Sequence, residues 1–335
     1  MAANPLFDLP LLEDDRQRVE HELREAVRTD EPALTEMAGH LIKAGGKRIR
    51  PLFAIAAARC ADGADGPVDR DVVLGGVTVE LVHIGSLHHD DVIDEAVTRR
   101  TVESVNARWG NLRAILSGDF LLAKASEISV TLGPPAVGNE VAGLLAATIG
   151  RLCDGEVGEI QTAYQVDRSE AAYLRSIDGK TASLFRTAAR IGAVVAGLPR
   201  EHVDALGEFG TAYGMAFQIV DDVLDLVATD EQLGKPAGHD LVEGVYTLPV
   251  LRALAGPAGD ELRTLLGRPI EGPEWERARK LVRSSDGIDQ AVAVARTYAA
   301  DAARHLGPLA HRPAAQALAA AADHLLASIA DISAT

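Results

Sequence analysis

Between His83 and Arg100 the sequence HIGSLHHDDVIDEAVTRR places three carboxylates, Asp90, Asp91 and Asp94, within five residues. A helix advances about 100° per residue, so Asp90 and Asp94 lie one turn apart on one face with Asp91 beside them. Like charges at that spacing cost roughly a few tenths of a kcal/mol per pair unless something positive sits there. A divalent cation is the natural partner, because hard Mg2+ takes carboxylate and water oxygens and commonly bridges a protein to phosphate. The pattern has an echo. HHDDVIDEAV at 88–97 returns in form as QIVDDVLDLV at 218–227, where Asp221, Asp222 and Asp225 repeat the spacing among Phe217, Ile219, Val220, Val223 and Leu224. Those apolar neighbours leave little surface to solvate the charges, so the two stretches read as halves of one strongly negative cleft. Mg2+ between them would reverse its field and clamp a diphosphate.

A diphosphate also needs guanidinium and ammonium donors. The sequence supplies them in groups: Lys47, Arg48 and Arg50 in GGKRIRP, Arg99 and Arg100 after the first triad, Lys180 in DGKTASLF and Lys235 in GKPAGHD. Each alone is an ordinary surface charge. Around Lys47 and Arg50, Gly45, Gly46 and Pro51 predict a fixed loop presenting two cations, which suits an anion. His83 precedes Asp90 by two helical turns on the same face, and its ring can donate to phosphate. His88 and His89 point to different faces, and either can hydrogen-bond an aspartate and orient it.

These residues must be carried by helices. Of 335 residues 47% are hydrophobic and only 4% aromatic, alanine is abundant, and no alternating strand block of useful length appears. Gly/Pro breaks at 44–51, 60–69, 131–139, 196–202, 234–240 and 267–274 separate amphipathic stretches, predicting an all-α bundle of about ten or more helices. No low-complexity linker divides the chain, so residues 1–335 read as one domain, with the first thirty and the last turn loosely attached. Lys+Arg of 33 against Asp+Glu of 49, a formal charge of -16, argues against nucleic-acid binding and against docking on anionic lipid. Cys60 and Cys153 are widely separated and lack metal-ligand spacing, which fits reduced thiols in a cytoplasm. No uncharged run approaches the roughly 18 residues of a membrane span, and the N-terminus lacks the basic and apolar regions of a signal peptide.

From about residue 33 to 255, and more weakly beyond, the chain resembles the trans-type isoprenyl diphosphate synthases, the polyprenyl synthetase family. The resemblance is carried by GGKRIRP, HDDVID followed by RR, GNLRAILSGDFLL, GKTASLF, GMAFQIVDDVLD and GKPAGHDLVEGVYTLPVL, in that order. It implies an all-α bundle around a deep central cavity, a homodimer, and about three Mg2+ ions with substrate bound. On matching positions it implies that Asp90, Asp94 and Asp221 are the principal Mg2+ ligands, with Asp91, Asp222 and Asp225 completing or hydrogen-bonding the cluster. Arg99, Lys180 and Lys235 would hold an allylic diphosphate; Lys47, Arg50, His83 and Arg100 would hold isopentenyl diphosphate. The oxygens of Thr181 and Gln218 would lie near the carbon where positive charge develops. The implied chemistry is ionisation, condensation and elimination, making Lys180, Thr181 and Gln218 the catalytic set.

The sequence departs from the family at Thr101, where Gly is usual, at His88, where an apolar residue is commoner, and at Glu156 and Glu159, where Gln is frequent. Two other readings stand beside the synthase. A class I terpene cyclase shares an aspartate-rich helix but has no need of GGKRIRP, and a non-catalytic regulatory subunit generally loses the acidic motifs. Product length is read at Gly85 and Ser86, one turn before Asp90 and both small, where short-chain relatives usually carry an aromatic floor. The open tunnel this predicts leads toward Leu144, Leu145 and Ile149 and implies a chain on the order of six to ten isoprene units, with a shorter, C15–C20 synthase as the alternative. A packing role for the two small residues is the competing explanation.

Overall fold

The breaks read from the sequence fall at helix junctions in the computed structural model, which describes residues 4–62, 66–229 and 238–333; most of the break at 234–240 lies outside the described residues. After a short turn at Pro5–Asp8 come α1 (Leu12–Ala26), α2 (Pro32–Ala38), α3 (His40–Lys43), α4 (Ile49–Ala58) and α5 (Arg70–Ile93). Two-residue strands β1 (Thr98–Arg99) and β2 (Val102–Glu103) pair antiparallel, Thr98 opposite Glu103 and Arg99 opposite Val102. Then follow α6 (Val105–Trp109), α7 (Asn111–Ser129), α8 (Pro135–Gln161), α9 (Glu170–Ile177), one π-turn (Asp178–Ala182), α10 (Ser183–Val195) and α11 (Arg200–Val227). The remainder is α12 (His239–Glu243), α13 (Leu248–Ala255), α14 (Gly259–Leu265), α15 (Gly272–Arg283), α16 (Gly287–His305) and α17 (Pro313–Ser333).

A helix that is apolar on every side belongs in the middle of a bundle. That describes α5, whose Val72, Val73, Val77, Val79, Leu81, Val82 and Ile84 are all buried, and which packs on α1, α4, α7 and α10. The other axis is α11, packed on α10, α16 and α17. Phe53 of α4, Phe185 of α10 and Tyr213 of α11 pin these helices together, with ring centroids 5.1 Å (Phe53–Phe185) and 4.5 Å (Phe53–Tyr213) apart. Each such buried side chain contributes about 1.5–3 kcal/mol. The acidic stretches therefore sit at the ends of the two helices the bundle holds most firmly.

The expected loose attachment of the first thirty residues is corrected. Leu6, Leu12, Val19 and Leu23 are buried, and the last helix, α17, packs on the opening turn and on α4. The apolar positions of α1 recur at helical spacing and form a stripe that meets α4 and α5. Ion pairs reinforce the join: Asp15 meets Arg59 at 2.6 Å, and Glu20 meets Arg48 at 2.6 Å.

Arg48, fully buried, governs the loop before α4. Its backbone is left-handed (φ 50°), and its guanidinium donates to Glu20, to Glu80 of α5 at 2.9 Å and to the Ile42 carbonyl at 2.9 Å. This lattice leaves Lys47 exposed and Arg50 half-buried. Arg48→Met should cost about 3–5 kcal/mol in urea denaturation, because buried Glu80 loses its hydrogen-bonded partner and keeps only Arg100 at 3.8 Å. A loss under about 1 kcal/mol would contradict a structural role for this lattice.

Candidate active site

The first triad closes α5. Asp91 is buried; its Oδ1 accepts from Arg99 Nε at 2.7 Å, its carbonyl accepts from Asn106 Nδ2 at 2.8 Å, and its Oδ2 has no hydrogen-bond partner. Asp94 caps the helix and is exposed. The Asp90 carboxyl is pushed up to about 7 by burial and by the charges of Glu156 and Asp94, against the opposing pull of Lys180 and Arg99. Arg99 is delivered by the β1–β2 hairpin, whose two turn residues, Arg100 (φ 52°) and Thr101 (φ 65°), are both left-handed. A two-residue hairpin turn of that shape favours Gly at its second position. The turn thus explains why Thr101 is a departure. Arg100 ties the hairpin back to the loop before α4, donating from Nη1 to the carbonyls of Leu41 at 3.1 Å and Gly45 at 2.5 Å.

The second triad lies near the end of α11. Asp222 is buried and accepts from Tyr173 Oη at 2.6 Å and from Gln218 Nε2 at 2.8 Å. Burial pushes its carboxyl up to about 7, although both donors favour the charged form. A carboxylate only accepts, so the Gln218 amide nitrogen must face Asp222 and its oxygen must face away. That oxygen accepts from Thr181 Oγ1 at 2.6 Å. Asp221 is exposed and Asp225 buried.

Between the triads stands the π-turn, which carries Lys180 and Thr181 side by side. Such turns often occur at functional sites because the extra residue re-aims side chains. Here α8 approaches so closely that a Cβ on Gly155 would lie 2.6 Å from the Lys180 backbone nitrogen, and one on Gly179 would lie 2.6 Å from the Arg151 carbonyl oxygen. Lys180 Nζ lies 2.7 Å from Glu156 and 2.6 Å from Glu159 of α8. Burial works against its charge, but the two glutamates outweigh it and hold the ammonium well above the usual lysine range. Glu156 in turn acts electrostatically on Asp90, and Glu159 on Asp222, so α8 and the π-turn link the two triads.

A separate basic cluster gathers Arg50, His83 and Arg100. Burial, then Arg50 and Arg100, push the His83 imidazole well below its usual range and keep it neutral. Arg50 lies 4.8 Å above the Phe185 ring, and its buried Nε has no hydrogen-bond partner. Crowded cations with an unmet buried donor make this cluster a candidate anion subsite. Lys47 is exposed at its edge, and Lys235 lies outside the described residues.

Other expectations need correction. His88 and His89 do not orient the aspartates of the first triad: His88 Nδ1 meets Ser117 Oγ at 2.8 Å, and His89 Nε2 meets the Ile115 carbonyl at 3.2 Å and Asp119 at 3.3 Å, all on α7. Burial pushes His88 down to about 3, leaving a neutral ring that joins two helices. Gly85 lies in that same α5–α7 contact, where an added Cβ would stand 3.1 Å from the Gly118 carbonyl oxygen and 3.2 Å from Leu122. Its smallness therefore has a packing cause. Ser86 is half-buried, with Oγ donating to the His83 carbonyl at 2.9 Å. On α8, Leu145 is buried while Leu144 and Ile149 are half-buried. Sequence reasoning gave no role to Glu80, Tyr173 or Asn106. A glutamate amid the valines and leucines of α5 was the available signal for Glu80; the other two carried none.

The donors suit magnesium: hard carboxylate oxygens, one of them the unpartnered Asp91 Oδ2, in a site where burial first and neighbouring carboxylates second raise Asp90 and Asp222. Among the described residues no three acidic, histidine or cysteine side chains converge as a ready-made cage. Magnesium is usually held by one or two carboxylates together with water and substrate phosphate.

Two acid-tipped helices, a π-turn lysine and a basic subsite within an all-α bundle define a diphosphate-handling enzyme of the isoprenoid synthase fold. The sequence model of the polyprenyl synthetase family matches residues 31–283, and the chain belongs to that family. It is 40% identical to the nonaprenyl diphosphate synthase of Mycobacterium tuberculosis over 92% of this chain and 90% of that protein. It is 37% identical to heptaprenyl diphosphate synthase component 2 of Bacillus subtilis over 94% of this chain and 88% of that one. A crystal structure of polyprenyl synthase from Caulobacter crescentus, complexed with calcium and isoprenyl diphosphate, superposes with a TM-score of 0.87 at 34% identity, covering 97% of both chains.

Protons and metal compete for carboxylates that titrate near neutrality. Half-saturating Mg2+ for the substrate-free protein should therefore rise as pH falls from 8 to 6, by up to about tenfold per pH unit for each proton displaced. Calorimetric titration at several pH values checks this, and a flat profile would contradict it.

Proposed function

We propose that this protein is a polyprenyl diphosphate synthase that condenses isopentenyl diphosphate onto an allylic diphosphate primer, head to tail, to a medium or long chain. The observation that carries it is the placement of Lys180 and Thr181 between two acidic helix ends, with a second basic subsite at Arg50, His83 and Arg100. A terpene cyclase has no use for that second subsite.

Asp90, Asp94 and Asp221 would hold magnesium, with Asp91, Asp222 and Asp225 behind them. When bound, the ions neutralise the diphosphate as it leaves. Lys180, Arg99 and Lys235 bind the allylic diphosphate; Lys47, Arg50, His83 and Arg100 bind the isopentenyl diphosphate. The allylic C1–O bond breaks to give an allylic cation and diphosphate, the isopentenyl double bond attacks C1, and a proton lost from the adjacent carbon passes to the released diphosphate. Thr181 and Gln218, locked by their mutual hydrogen bond, present oxygen dipoles to the cation. The apolar walls exclude the water that would quench it.

The chain is proposed to act as a homodimer in the cytoplasm. Leu112, Ile115 and Leu116 of α7 are 74%, 42% and 55% exposed, and Val157 and Ile160 of the adjoining α8 are each 51% exposed. Exposed apolar side chains on two helices that pack on each other suit a second copy. No helix among the described residues is long and apolar enough to cross a membrane. Leu116→Asp should convert a dimer to monomer in analytical sedimentation; a wild-type monomer would contradict the proposal.

The purified chain alone, given Mg2+, labelled isopentenyl diphosphate and a primer, should extend it to about six to ten units, the growing tail being held at roughly 25 cal/mol per Å2 of apolar surface buried. No elongation without an added subunit would point to the heteromeric arrangement suggested by the name of the Bacillus subtilis relative. Ser86 is the better test of tunnel length than Gly85, where any side chain meets the α7 backbone. Ser86→Phe should shorten products to about three or four units with ionisation retained. Unchanged product length in that variant would remove Ser86 from the tunnel.

A further inference from the structure

We propose that Glu156 and Glu159 are positioning residues that hold the Lys180 ammonium between the two triads and surrender it to the allylic diphosphate. Affinity at this subsite is then set by an exchange of carboxylate for diphosphate. The inference rests on Lys180 being a ligand of the allylic diphosphate.

Glu156 and Glu159 stand three residues apart on one face of α8 and converge on a single nitrogen, at 2.7 and 2.6 Å, with Glu159 also accepting a hydrogen bond. The backbone beneath them is fixed. Gly155 abuts the π-turn, and Arg151 pairs with Asp178 at the start of that turn. The Lys180 side chain is 33% exposed, against 14% for Glu156 and 18% for Glu159, so Lys180 keeps more contact with solvent than its two holders. The glutamates hold Lys180 only through its Nζ, so a change of its side-chain rotamer alone would release it from both. An ammonium has three donors and no acceptor, so carboxylate and diphosphate oxygens compete for the same donors. A diphosphate oxygen is a strong charge-assisted acceptor for the same donor. Both glutamates act on a triad carboxyl, but Glu156 is the leading charge on Asp90 whereas Glu159 is the smallest of the influences on Asp222, so Glu159 is the residue to change.

Glu159→Gln keeps the size and acceptor oxygen but removes the charge. It should lower the dissociation constant for a non-ionisable thio analogue of the allylic diphosphate, and the allylic KM, about two- to fivefold. The KM for isopentenyl diphosphate should stay within about twofold, because the Arg50 subsite is separate. In a Lys180→Met background the effect of Glu159→Gln on analogue binding should fall to less than half, since the exchange has lost its cation. Analogue binding unchanged or weakened by Glu159→Gln would overturn the positioning role. Equal effects in both backgrounds would do the same, leaving only the general field. If Lys180→Met alone does not weaken analogue binding, the assignment of Lys180 to the allylic subsite fails, and the positioning role fails with it.

Discussion

Negative charge concentrated at the ends of apolar helices must be neutralised, and the rest of the site is arranged around that requirement. The protein meets part of it internally. Arg99 is held by Asp91, Lys180 by Glu156 and Glu159, and Arg48 by Glu20 and Glu80. Burial, with neighbouring carboxylates adding to it, pushes the Asp90 and Asp222 carboxyls up to about 7. A metal-bound diphosphate supplies both the missing positive charge and an acceptor for the cations, so substrate and metal complete each other's binding.

The fold serves this electrostatic design by making its supports rigid. The central helices α5 and α11 hold the triads, while three small irregular devices aim the cations: the left-handed Arg48 before α4, the hairpin that delivers Arg99, and the π-turn that delivers Lys180 and Thr181. Each is tied to a neighbouring helix by polar contacts, through Glu20 and Glu80, through the carbonyls of Leu41 and Gly45, and through α8. Preorganisation here means cations already in place near where charge develops.

Much of this was legible in the sequence because it depends on short-range period. The spacing of Asp90, Asp91 and Asp94, its echo at Asp221, Asp222 and Asp225, and the Gly/Pro breaks all follow from helix geometry within a few residues. Pairings across the fold were not legible. Nothing local links Arg48 to Glu20, or Tyr173 to Asp222, since those contacts arise only when helices cross. Small residues were ambiguous for a physical reason. Gly85 could leave room for a product or for a helix, and the close approach of Gly118 shows the second. The histidines beside the first triad were ambiguous in the same way and turned out to serve the α5–α7 contact. At the N-terminus, the acidic content of α1 concealed an apolar stripe of Leu12, Val19 and Leu23 that places it in the core.

The most direct test of the account is calorimetric titration of Mg2+ into the wild-type protein, Asp90→Asn and Asp221→Asn, with and without saturating inorganic diphosphate. The account predicts that diphosphate tightens Mg2+ binding to the wild type by about tenfold or more, and that either substitution abolishes most of that gain. Mg2+ binding equally tight without diphosphate, or indifferent to both substitutions, would contradict the claim that the two acidic helix ends form one metal-diphosphate site.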